Sequence, residues 1–166
     1  ALKLATGTKH MKRFCLSFIL FLGVTISWAD NSDNRQKIIL DTDMVELFDD
    51  GIAMMMLAKA PNIDLLGVTV VAGNTWVSEG TAYAIRQLEA IGITDIPVLQ
   101  GIRLPFAPNR VENMKEEIQL FGFGEGYSGS FAYEEPTFWK DVYTSRYKQE
   151  PTFGPTDMHA VNFIIE

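Results

Sequence analysis

IILDTDMVELFDDGIAM, residues 38–54, sets a short apolar run before a crowd of carboxylates and then resumes with apolar residues at helical spacing. Asp41, Asp43, Asp49 and Asp50 fall within ten positions, with Glu46 among them. Charges of one sign held this close raise one another's pKa and oppose folding unless something offsets them. The run Ile38, Ile39, Leu40 ends abruptly in polar residues, which reads as a strand buried on both faces. From Asp50 the spacing becomes helical, with Ile52, Met55 and Met56 on one face and Pro61 closing the segment. Asp49 and Asp50 then lie at the amino end of that helix, where backbone N–H groups and the helix dipole favour negative charge.

The pattern repeats further along the chain. Residues 63–72 are β-rich and stop at Gly73-Asn74. Ser78 is placed to cap a helix whose inward face is Ala84, Ile85, Leu88 and Ile91, with Gly92 as its C′ residue. A third short strand at 96–99 ends at Gln100-Gly101. Strands alternating with helices, ~30 residues per unit, are the mark of βαβ crossovers. The expected fold class is α/β, an open and mostly parallel sheet flanked by helices, of which three strands make only half. From Ile102 to Pro155 the periodicity is lost, and glycines alternate with rings from Phe121 to Tyr147. Such a segment is functional or mobile, and its rings are expected to pack it against the body. Ala160, Val161, Ile164 and Ile165 then start another helix, with Thr156 or Asp157 as its cap.

The amino-terminal residues read differently. Met11-Lys12-Arg13, an apolar stretch over 14–26 and Ser27-Trp28-Ala29 have the three-part design of a secretory signal peptide cut after Ala29. The apolar stretch is shorter than the ~20 residues a bilayer needs. The expected organisation is therefore 1–29 as upstream residues plus signal, 30–36 as a polar tether, and 37–166 as the amino-terminal part of a domain. The expected location is secreted or periplasmic, with no membrane association after cleavage. Cleavage removes four basic residues, no acidic one and the only cysteine, leaving ten basic against twenty-one acidic side chains, a net charge of −11. That surface repels phosphate backbones and excludes nucleic acid as a partner, but not a small uncharged nucleoside.

In a parallel sheet the ligand sits at the carboxyl ends of the strands. Asp41 and Asp43 follow the first strand, Asn74 the second and Gln100 the third. Hard carboxylate oxygens converging on one point suit Ca²⁺ or Mg²⁺, and Ca²⁺ tolerates six to eight oxygens in irregular geometry. Residues 37–43 (KIILDTD), the Asp49-Asp50 pair opening a helix, and residues 67–74 (GVTVVAGN) together resemble the inosine/uridine-preferring nucleoside hydrolase family. The resemblance is strong over 37–101 and weaker over 160–166.

It implies hydrolysis of the N-glycosidic bond of ribonucleosides to free base and ribose, assisted by Ca²⁺. By the same resemblance Asp43 ligates Ca²⁺ and acts as general base on water, and Asp50 ligates it through both oxygens. Asp41 orients the cluster or joins the ligands. Asp49 and Asn74 bind the ribose hydroxyls, and homo-oligomers are open to such a protein. The family usually has a shorter connection between its second and third aspartates than the five residues Met44, Val45, Glu46, Leu47 and Phe48 found here. Its chains are also longer, with further metal ligands and a leaving-group histidine supplied by later residues. His159 does not match that histidine and reads as a surface or capping residue.

Two rival readings belong to other classes. Asp41-Thr42-Asp43 after a buried strand matches the Asp-x-Asp of haloacid-dehalogenase-like phosphatases working with Mg²⁺, but that leaves Asp49, Asp50 and Asn74 without roles. A secreted protein that binds sugar or metal without catalysis would use the same scaffold.

Overall fold

The computed structural model describes residues 34–106, 109–121 and 129–166. The signal-peptide reading, most of the polar tether and the ring-and-glycine run at 122–128 lie outside the described residues. The elements run β1 (Gln36–Thr42), α1 (Asp49–Lys59), β2 (Ile63–Val70), α2 (Val77–Ala90), β3 (Val98–Gln100), α3 (Arg110–Phe121), a 3₁₀ turn (Gly129–Ala132), α4 (Trp139–Tyr147) and α5 (Ala160–Ile165).

The three strands form one parallel sheet in the order β1-β2-β3. The α/β reading therefore holds, and the strand buried on both faces is β2, not β1. Val68, Thr69 and Val70 at the end of β2 are all shielded from water. Ile38, Ile39 and Leu40 of β1 are only half-buried, because among the described residues β1 is an edge strand with a neighbour on one side. β1 and β2 pair from Gln36 opposite Ile63 to Thr42 opposite Val70, with a register shift between Ile38 and Ile39. Both strands thus end at the same level, and the loops that follow them emerge side by side.

α1 docks through a different face from the one its apolar spacing suggests. Gly51 and Met54 are buried, whereas Ile52 and Met56 are exposed. The cause is Gly51: a Cβ there would stand 1.9 Å from Gln87 Oε1, so the helix approaches α2 through its smallest residue and the opposite side turns outward. α2 buries Ala84, Ile85 and Leu88 as its spacing demands, and Gly92 closes it at φ 72°. Ser78 is not its cap. The helix begins at Val77 after Trp76, whose backbone N–H donates to Glu79 Oε2 at 3.2 Å, so Ser78 falls inside the first turn.

The segment after β3 is more regular than its composition indicates, since it carries α3, the 3₁₀ turn and α4. Trp139 and Tyr143, one helical turn apart, are buried in the core that α2 provides. Phe131 meets Trp76 edge-on at 5.2 Å between ring centroids. These rings pack the segment against the sheet domain, while Tyr133 and Phe138 remain largely exposed. α5 is capped by His159, whose Nδ1 accepts from the Val161 N–H at 3.3 Å, not by Thr156 or Asp157. Its docking residues are Ala160 and Phe163, the latter lying over Gly67, and Val161, Ile164 and Ile165 are exposed. Among the described residues no helix is long and apolar enough to cross a membrane.

Candidate functional site

At the carboxyl edge of β1 and β2 the strand register decides where each acidic side chain goes. Asp41 is the last residue but one of β1 and pairs with Thr69, whose hydroxyl donates to Asp41 Oδ1 at 2.6 Å. Thr42, buried at the end of the strand, donates its hydroxyl to Asp50 Oδ1 at 2.6 Å and so ties the first turn of α1 to β1. Asp43, one residue beyond the strand, reaches across to the turn after β2, where the Asn74 N–H donates to its Oδ2 at 2.8 Å. Asp49 accepts from the Asp50 N–H at 3.1 Å.

Gly73 makes room for the Asp43 contact. A Cβ at this position would stand 2.3 Å from Asp43 Oδ2 and 2.6 Å from its Cβ, so only glycine allows the carboxylate to lie against the turn. The same turn is backed by the 3₁₀ segment, whose Ser130 donates from both its N–H and its hydroxyl to the Gly73 carbonyl.

The structure brings Asp41, Asp43, Asp49, Asp50 and Asn74 to one edge of the sheet, but not to a single point. Among the described residues no three Asp, Glu, His or Cys side chains stand close enough to hold a metal ion. What offsets the crowding of charge is a set of neutral donors: two threonine hydroxyls and two backbone N–H groups, one oxygen of each aspartate being engaged. Gln100 is turned away, its amide donating to Thr81 Oγ1 at 3.2 Å. A cleft of about 490 Å³ opens beside it, lined by Ser78, Gln100, Arg103, Trp139 and His159. None of the five site residues lines that cleft, and the Arg103–Glu135 ion pair belongs to its wall.

Sequence reasoning missed the supporting residues. Thr42 stands in the motif itself, and Thr69 becomes visible once β1 is laid against β2 in register. The connection at 44–48 has partners that no local pattern reveals. The Met44 carbonyl accepts from the Thr75 hydroxyl at 2.8 Å, and the Leu47 N–H donates to Gln87 Oε1 at 3.1 Å. Glu46 accepts from Arg146 Nε at 2.8 Å and from the Tyr147 hydroxyl, both on α4. Burial pushes the Glu46 carboxyl up, but the hydrogen bonds from Arg146 and Tyr147 and the charges of Arg146 and Arg86 outweigh it and hold its pKa below the usual range.

Known proteins are similar to parts of this chain. The chain is 38% identical over 73 residues to a probable uridine nucleosidase 2 of Arabidopsis thaliana, covering 44% of this chain and 22% of that one. It is 39% identical over 90 residues to the pyrimidine-specific ribonucleoside hydrolase RihB of Escherichia coli, covering 53% and 28% respectively. A purine-preferring ribonucleoside hydrolase from Gardnerella vaginalis superposes with a TM-score of 0.46 at 22% identity, covering 78% of this chain and 35% of that one. The chain thus matches less than a third of the length of the uridine nucleosidase and of RihB, and about a third of the solved chain. The sequence profile described as inosine-uridine preferring nucleoside hydrolase matches residues 38–166, and the chain belongs to that family.

Proposed function

We propose that this chain carries the sugar- and metal-binding portion of a nucleoside hydrolase active site, exported from the cytoplasm and acting on small ribonucleosides. The observation that supports it best is the Asp43 carboxylate, fixed at the carboxyl edge of the sheet by the Asn74 N–H at 2.8 Å in a space that Gly73 leaves open. In this reading Asp43, Asp50 and Asp41 would be the Ca²⁺ ligands this chain offers: their oxygens are of the kind that ion takes, but the three side chains lie along the sheet edge without converging, so holding the ion requires them to draw together. They are too few to satisfy it, and other oxygens, from water or further protein, complete the set. A bound Ca²⁺ would supply positive charge to align the ribose hydroxyls and the attacking water.

The residues of the chain do the rest. Asp43 accepts a proton as water attacks the anomeric carbon, and the electron pair of the glycosidic bond leaves with the base. Asp49 and Asn74 hold the ribose hydroxyls, and the surrounding carboxylates stabilise the positive charge that builds on the sugar. The phosphatase reading gives Asp49, Asp50 and Asn74 no such work.

The test is release of free ribose from inosine and uridine by the full-length protein with Ca²⁺, run beside a phosphatase assay with Mg²⁺. Ribose release that disappears in Asp43→Ala supports the proposal. Phosphate release alone, or nucleoside binding with no base freed, overturns it in favour of one of the two rivals.

A further inference from the structure

The connection between Asp43 and Asp49 joins two residues of the proposed site, yet none of its own side chains has a part in the reaction. It is nevertheless closely held. Met44 is buried, its carbonyl bound by Thr75, and Leu47 is bound through its N–H by Gln87. Leu47 adopts φ 50°, a left-handed conformation that a branched side chain keeps only when its surroundings impose it. The neighbouring Glu46 carries the third tether, and this one comes from α4, a hundred residues further along the chain.

α4 is built to deliver it. Arg146 donates Nε and Nη2 to Glu46 Oε2, and Tyr147 donates its hydroxyl to Oε1, so both carboxylate oxygens are taken. Arg146 also lies 5.2 Å from the centroid of the Tyr83 ring on α2, and Arg86 of α2 lies 5.4 Å from that of Tyr147. The two cation–π contacts and the ion pair interlock the connection, α2 and α4. A lone ion pair at a surface would be mobile and of little consequence, but here the carboxylate is largely shielded, at 21% side-chain exposure, and Arg146, itself half exposed, is steadied by its contact with the Tyr83 ring.

We propose that Glu46 and Arg146, with Tyr147, are positioning residues: α4 fixes the shape of the 44–48 connection and thereby the placement of Asp43 and Asp49 at its two ends. The proposal rests on the roles given to those aspartates above, and it adds a function for the segment after β3.

The experiment uses the full-length protein with Arg146→Met, Arg146→Lys, Glu46→Gln and the Arg146→Met/Glu46→Gln pair. Amide hydrogen exchange at Leu47 reports the connection directly, and hydrolysis of inosine and uridine reports the aspartates. Arg146→Met and Glu46→Gln are each expected to speed Leu47 exchange about tenfold, the scale of a partly screened charge-assisted hydrogen bond. The pair should be no faster than either single change, since both remove the same interaction. kcat should fall by about tenfold with KM nearly unchanged, as expected when an interaction used in the transition state is lost. Arg146→Lys should recover part of both effects. Unchanged exchange overturns the proposal, and so does faster exchange with kcat intact. If the parent protein hydrolyses no nucleoside, the reading of the site fails, while faster Leu47 exchange still supports α4 as the element that sets the connection.

Discussion

At Gly73 the usual argument for glycine, a left-handed backbone, does not apply; the constraint is the side chain of Asp43 pressed against it. Gly73→Ala should therefore fold, but with the Asp43 carboxylate displaced by the new methyl group. A misplacement of this size costs about a hundredfold in rate, so kcat for nucleoside hydrolysis should fall by that order while the melting temperature moves little. Asp50 is held by Thr42 and is a proposed metal ligand, which makes a second expectation specific. Ca²⁺ should raise the melting temperature of the full-length protein by binding its folded state. Asp50→Asn should abolish most of that rise, and Asp95→Asn, on the loop before β3, should not. Equal loss in both would mean that overall charge is responsible. Glu46 yields a pH dependence with a definite sign. Its pKa lies below the ordinary 4.5 in the folded protein, so the stabilisation it brings is complete above that value and is lost as pH falls through the lowered one. The stability advantage of the parent over Glu46→Gln, measured by denaturant titration, should be present at neutral pH and shrink in the acid range below 4.5.

At the scale of elements, α1 shows how one residue redirects a whole face. Its apolar spacing nominates Ile52 and Met56 as core, and the close approach of Gln87 over Gly51 turns them to solvent and Met54 inward. Met54→Ala should accordingly cost about 2–5 kcal/mol of stability, the range for removing a buried methionine side chain, whereas Met56→Ala should stay within about 0.5 kcal/mol. Calorimetric or denaturant unfolding of the two variants checks the assignment, and equal losses would place both side chains in the core. α4 makes the complementary case. Nine residues long and weakly patterned, it escapes a reading of the sequence by period, yet Trp139 and Tyr143 anchor it to the core and Arg146 and Tyr147 reach the acidic connection.

At the scale of the domain, β1 lies on the edge of the sheet that the described residues form, next to the aspartates, with Leu47, Phe48, Ile52 and Met56 exposed nearby. An open edge and an apolar surface of this kind favour association. The three proposed ligands Asp41, Asp43 and Asp50 also fall short of the oxygens Ca²⁺ requires. Residues 30–166 alone should therefore show no measurable hydrolysis of inosine or uridine even at saturating Ca²⁺, and should require additional protein of the family's domain, in cis or in trans. Free ribose released by the purified segment, with an inactive Asp43→Ala control, would contradict this.

The alternation of apolar runs, the abrupt polar strand ends and the 67–74 turn were enough to read a parallel α/β sheet and to nominate Asp41, Asp43, Asp49, Asp50 and Asn74, because strand order along the chain and side-chain type are local properties. Which strand lies inside, which face of α1 docks and which donors offset the carboxylates depend on contacts between residues far apart in the chain. The Thr69–Asp41 bond needs the β1–β2 register, and the Arg146–Glu46 pair spans a hundred positions. Periodicity carries no information about such distances. Only the packed tertiary structure brings those groups within reach, and it shows which hydroxyl and N–H donors hold one oxygen of each aspartate, partners that neither spacing nor composition reveals.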